Sequence, residues 1–110
     1  MMKKLLVVPA VVIFLIIFAV ACYAEKAAKE KSGEELFKQH CAVCHPDGGN
    51  IIDSKYTLHK KDLKEHKITK PEDIVKIMRN PGQGMTKFDK KNIPDKDAKK
   101  IAGYILKTFK

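Results

Sequence analysis

From Leu5 to Ala21 the chain is almost unbroken apolar sequence; beyond Cys22 it changes to short apolar clusters separated by lysine-rich and Gly/Pro-rich stretches. Leu36, Phe37 and His40 recur at helical spacing behind Ser32, and Glu35 completes a Ser-x-x-Glu capping box. A helix is predicted from about Gly33 to Cys44. Pro46, Gly48, Gly49 and Asn50 then mark a loop over residues 46–58. Leu58 to Lys67 is polar and rich in lysine, compatible with a short exposed helix. A further helix starts at Pro71, capped by Thr69 or Lys70, with Pro at its first position. Ile74, Val75, Ile77 and Met78 form its apolar face, and Asn80-Pro81-Gly82 ends it. A second loop, residues 82–94, carries Met85 and Phe88. Pro94 or Asp95 opens the last helix, where Ala98, Ile101, Ala102, Ile105, Leu106 and Phe109 keep i, i+3, i+4 spacing. No sustained alternating pattern and no internal repeat appear, so the fold class expected is all-α.

The first apolar stretch does not belong to that domain. Lys3 and Lys4 precede it and the small residues Ala19 and Ala21 close it, the pattern of a secretory signal peptide. A retained membrane anchor is the competing reading; the run is short for a span and contains Pro9. Cleavage after Ala24 would release a soluble protein. Cleavage after Ala21 would leave Cys22 at the new N-terminus. Ala19-Val20-Ala21-Cys22 resembles a bacterial lipobox, in which that cysteine is lipidated, although the usual leucine at its first position is missing. A third cysteine in an exported chain favours this second cut. The expected organisation is a signal peptide over 1–21 (alternatively 1–24), a flexible tether over 22–31 and one domain over 32–110. The expected location is the periplasm or the outer membrane, lipid-anchored if the lipobox is used.

Cys41-Ala42-Val43-Cys44-His45 carries the chemistry. The C-x-x-C-H spacing is that of covalent haem attachment. Two thiols three positions apart on a helix end can reach two vinyl groups on one porphyrin edge, and the next residue supplies an imidazole to the iron. A thioredoxin-like dithiol would need a βαβ pattern, which is missing. A structural zinc would need two more ligands beyond the cysteines, from His40, His45, His59 and His66. One motif implies one haem. A domain this small often needs a staple, and a covalent cofactor provides one. Met85, in a loop beside Gly82 and Gly84, is the expected sixth ligand. Its soft thioether would raise the reduction potential relative to bis-imidazole ligation. Met78 is assigned to the core, and His59 and His66 to a solvated segment. His40 is expected to be exposed or locally hydrogen-bonded.

With these motifs in view, the sequence resembles the class I c-type cytochromes of the short c6-like kind, over nearly all of residues 32–110. Ser32 to Phe37 is similar to their first helix. Cys41 to Asn50 is similar to their haem-attachment segment, and Arg79-Asn80-Pro81-Gly82-Gln83-Gly84-Met85-Thr86-Lys87-Phe88 to their methionine loop. Thr86 stands where family members often carry Pro. With Cys22, the chain is most similar to the monohaem outer-membrane lipoprotein cytochromes of metal-respiring bacteria. The resemblance implies one covalent haem c held by Cys41 and Cys44, with His45 and Met85 on the iron. It also implies that Phe37 and Tyr104 meet at a helix crossing, with Gly33 and Gly103 allowing close approach. It implies, finally, that His45 donates its free N–H to a loop carbonyl.

Lys and Arg number 22 against 13 Asp and Glu, a net charge of +9. That excess suits solubility, and it suits steering toward redox partners with acidic surfaces or toward an anionic membrane. Nucleic acid is excluded as a partner by export and by the lack of any binding motif. With both axial sites filled, the iron exchanges electrons and performs no bond chemistry. The expected function is therefore a monomeric one-electron carrier and not an enzyme. The alternative is a haem-based redox or small-ligand sensor with a displaceable Met85.

Overall fold

A computed structural model of the chain describes residues 7–27 and 30–110. Lys3, Lys4 and the side chain of Cys22 lie outside the described residues. One unit, residues 1–30, holds the helix α1 (Val7–Ala27). Its large apolar side chains, from Val11 to Val20, are exposed. The helix runs through both expected cleavage positions, into the segment read as a tether.

The second unit, residues 31–110, holds four helices: α2 (Gly33–His40), α3 (Lys60–Glu65), α4 (Pro71–Arg79) and α5 (Asp95–Thr108). No strand occurs among the described residues. Helix α2 begins as its sequence dictates. Glu35 N–H donates to Ser32 Oγ at 3.2 Å, and Ser32 N–H donates to Glu35 Oε2 at 2.8 Å. Hydrogen bonding to the carboxylate from the Ser32 backbone N–H, and then from its hydroxyl, holds the Glu35 carboxyl below its ordinary range. Helix α4 is entered differently. Asp73 accepts from the N–H groups of Thr69 (3.1 Å) and Lys70 (3.2 Å), so the third helical residue supplies the cap.

The expected end of α2 needs correction: the helix stops at His40, four residues before Cys44. The carbonyl of Phe37 accepts from both Cys41 N–H (2.8 Å) and Ala42 N–H (3.0 Å), which widens the turn and breaks the i→i−4 ladder. The Cys41 carbonyl then starts a separate turn, accepting from Cys44 (3.2 Å) and His45 (2.9 Å).

Helix α5 packs against both α2 and α4, and its Ala98, Ile101, Ala102 and Ile105 are buried as the spacing predicts. At the α2–α5 crossing the Phe37 and Tyr104 rings stand 5.3 Å apart, tilted by 48°. A Cβ on Gly33 would overlap the Lys100 carbonyl oxygen, so only glycine permits this approach. Gly103 contributes nothing to it: it is exposed, and a Cβ there would meet nothing within 4 Å outside its own helix backbone. The close approach expected from both glycines thus rests on Gly33 alone.

Candidate functional site

The segment after α2 turns back on itself. Pro46–Gly48 forms a single 3₁₀ turn, with Asp47 (φ 52°) and Gly48 (φ 78°) both left-handed. A Cβ on Gly48 would stand 2.5 Å from the Phe109 ring. This reversal brings the Gly49 carbonyl to 2.7 Å from His45 Nδ1. A carbonyl can only accept, so Nδ1 carries the proton and Nε2 keeps its lone pair. Among the described residues, His45 is the one charged or polar side chain buried with the core, at 8 % exposure.

His45 lines a cavity of about 590 Å³ together with Cys41, Cys44 and Met85. The volume lies within the roughly 300–1,000 Å³ of small-molecule and cofactor sites. Its wall is largely apolar, with Leu58, Leu63, Ile68, Ile74, Met78 and Ile105 among the side chains. All four residues expected to serve the cofactor therefore meet in one space, although α2, the 46–58 loop, α4 and the 80–94 loop reach it from different parts of the chain. Gly84 supplies the positive φ (93°) that turns the Met85 segment, and a Cβ there would come within 3.0 Å of Ile52 Cγ2.

Burial pushes the Cys41 thiol up to about 11, and neighbouring Cys44 adds to the effect. That environment disfavours a free thiolate at this position. Among the described residues, no group of three His, Cys, Asp or Glu is arranged to chelate a metal. A largely apolar cavity lined by two cysteines and by an imidazole with a free Nε2 forms a donor set that fits an iron porphyrin.

Two histidines belong closer to the cavity than their sequence positions indicate. His66, placed by its composition in a solvated segment, is exposed yet lines the cavity, its ring 4.5 Å from that of Tyr56. Its Nδ1 donates to the Asp62 carbonyl at 2.9 Å. His40 is half-buried, lines the cavity and meets the edge of Phe88 at 6.2 Å. His59 does not line it. Leu63, at 5 % exposure, draws the lysine-rich α3 against the cavity wall. This apolar anchor within a charged run was the available signal that the segment packs.

Residues 28–105 match the family model described as cytochrome c oxidase, cbb3-type, subunit III. The chain belongs to the class I c-type cytochromes. A cytochrome c6-like protein of Nostoc sp. is 32 % identical over 95 residues, covering 86 % of this chain and 85 % of its own length. The outer membrane cytochrome OmcF of Geobacter sulfurreducens is similar in structure, with 40 % identity and a TM-score of 0.70 over 72 % of this chain and all of its own. Cytochrome c6B of Synechococcus sp. follows at 35 % identity and TM-score 0.63, over 70 % of this chain and 89 % of its own. As a class I cytochrome, the protein carries one covalently bound haem c and transfers electrons with other redox proteins, without catalysing a reaction of its own.

Proposed function

We propose that Cys41 and Cys44 hold the haem of this cytochrome through thioether bonds and that His45 and Met85 ligate its iron. The observation that carries the reading is the meeting of these four side chains in one apolar cavity. Bound there, the haem supplies a one-electron couple. His45 Nε2 would ligate the iron in the tautomer that the Gly49 carbonyl selects, and that hydrogen bond would also raise ligand basicity. Met85, which lines the same cavity, would supply a soft sulfur ligand that favours the reduced state. The apolar wall would keep water off the ring, and two protein ligands would leave no position for substrate.

The exposed apolar helix α1 supports export of the chain, with its removal at Ala21 or Ala24. Cleavage before Cys22 would leave the domain tethered by a lipid at the outer membrane. Lys55, Lys60, Lys61, Lys64 and Lys67 are exposed beside cavity-lining residues Tyr56, Thr57, Leu58, Leu63 and His66, and fit a partner with an acidic surface.

The native protein purified from its own host tests this in two measurements. Mass spectrometry should give one haem, attached within the Cys41–His45 peptide, together with the cleavage position and any acyl chain. The ferric spectrum should hold a thioether–iron band that Met85→Ala abolishes. Ready binding of carbon monoxide by the ferrous wild-type protein would instead favour a sensor with a displaceable Met85.

A further inference from the structure

The loop that carries Met85 is held at its far end by an arginine. Between Asn80 and Lys87 the described backbone makes one local bond, from Met85 N–H to the Gly82 carbonyl at 3.5 Å. Phe88, three residues beyond Met85, is tied at both of its backbone polar groups. Its N–H donates to the Met78 carbonyl at 2.9 Å. Its carbonyl accepts from Arg79 Nη1 at 3.1 Å. The second arm of the same guanidinium donates from Nη2 to Asp95 Oδ1 at 2.8 Å. Asp95 also receives Lys90 Nζ on Oδ2 at 3.2 Å. Arg79 therefore joins the last turn of α4, the end of the methionine loop and the first turn of α5. Its side chain is only 20 % exposed, and its Nε is buried with no partner.

We propose that Arg79 is a positioning residue for the Met85 sulfur, fixing how closely and how persistently the methionine loop presents it to the iron. The proposal rests on Met85 being the sixth ligand. The physics is preorganisation. A loop tied at one end samples many sulfur positions, and each must be given up when the iron–sulfur bond forms. A loop tied at both ends has already lost that freedom. Arg suits the task because its planar fork serves two separate acceptors at once, which the single ammonium of Lys cannot do in the same geometry. Phe88 also lines the cavity and meets His40, so the clamp acts on the wall beside the ligand as well as on the loop. Arg79 is not among the residues that line the cavity; its effect passes through Phe88, which is.

The test uses the full holo-protein with haem attached. Arg79→Met should raise the carbon monoxide affinity of the ferrous form by about tenfold, equivalent to about 1.4 kcal/mol of weakened sulfur ligation. It should also lower the temperature at which the ferric thioether–iron band is lost. Amide hydrogen exchange should quicken across residues 82–88 and stay slow in α5. Asp95→Asn, which keeps Arg79 and weakens one arm, should move the affinity the same way by less. Gly33→Ala, whose clash lies at the α2–α5 crossing, controls for general loss of stability and should leave the affinity at the wild-type value. If Arg79→Met binds carbon monoxide no more tightly than Gly33→Ala, the positioning role is overturned. If the wild-type protein has no thioether–iron band, or Met85→Ala keeps it, the ligation reading fails instead.

Discussion

His45 Nδ1 and the Gly49 carbonyl oxygen stand 2.7 Å apart, four residues along a chain that reverses through two left-handed positions to bring them together. The bond settles which imidazole nitrogen keeps its lone pair, and the reversal depends on Gly48. A side chain there would meet both an unfavourable φ and the Phe109 ring. Gly48→Ala should therefore cost about 1–3 kcal/mol of stability. Urea unfolding of the holo-protein, with the midpoint lowered and the slope unchanged, is the expected result. A midpoint equal to wild type would show that the turn relaxes without cost.

Two glycines on the α2–α5 side of the molecule should answer the same substitution with opposite signs. A methyl on Gly33 forces the Lys100 backbone away and loosens the Phe37–Tyr104 contact, at a cost of about 1–3 kcal/mol. Gly103 lies inside α5, faces solvent and has open space around it. Gly103→Ala should stabilise by about 1 kcal/mol, because alanine gives up less backbone freedom in a helix. Thermal unfolding of the two variants side by side measures both. A destabilised Gly103→Ala would mean that the glycine serves something other than the fold.

The contrast between these glycines shows what was legible in the chain and what was not. The apolar faces of α4 and α5 announce themselves because burial repeats every three or four residues, and the cysteine pair with its histidine is a local motif. Ser32 and Glu35 declare their cap for the same reason. The His45–Gly49 bond and the end of α2 at His40 are set by local backbone geometry, and the Arg79 clamp by contacts between segments; side-chain spacing carries no record of either. Gly103 looks like Gly33 in sequence; only the neighbouring helix separates them, since a Cβ on Gly33 meets the Lys100 carbonyl of α5 while one on Gly103 meets nothing outside its own helix. His66 was hidden by lysines, since composition reports solvation of a segment and not the one face, through Leu63, that packs.

Met85 and Met78 both line the cavity, and their substitution should separate ligand from wall. Met85→Ala should abolish the thioether–iron band, lower the reduction potential and open the iron to carbon monoxide, with the haem still covalently attached. Met78, at 3 % exposure, is packed in the core. Met78→Leu keeps volume and hydrophobicity, so it should retain the band and cost less than about 1.5 kcal/mol. Loss of the band in Met78→Leu, and its survival in Met85→Ala, would exchange the two roles.

Acid should destabilise the fold through three carboxyl groups. Glu35 is held below its ordinary range mainly by the backbone and side chain of Ser32, Asp73 by the Thr69 amide, and Asp95 by Arg79 followed by Lys90. A carboxyl lowered in the folded state binds protons less readily there than in the unfolded chain. The stability it contributes is therefore complete above the unfolded value, 4.5 for Glu35 and 3.8 for the aspartates, and is lost as pH falls through the lower folded values. Unfolding midpoints should hold steady above about pH 5 and drop below pH 4. Asp73→Asn should flatten part of that drop. An unchanged acid profile in that variant would remove the α4 cap from the account.

The lysines beside the cavity give the last prediction, because steering and solubility respond differently to salt. If Lys55, Lys60, Lys61, Lys64 and Lys67 guide an acidic partner to the cavity mouth, association must weaken as the field shortens. The screening length falls from about 30 Å at 0.01 M to about 8 Å at 0.15 M. The second-order rate of electron exchange with an acidic redox protein should fall by about tenfold or more across that range. Replacing Lys60 and Lys64 with glutamine should lower the low-salt rate and leave the high-salt rate nearly unchanged, since the site itself is untouched. With a neutral small-molecule oxidant both proteins should react at the same rate at every ionic strength. A salt-independent rate with the acidic protein would leave these lysines as solubilising charge alone.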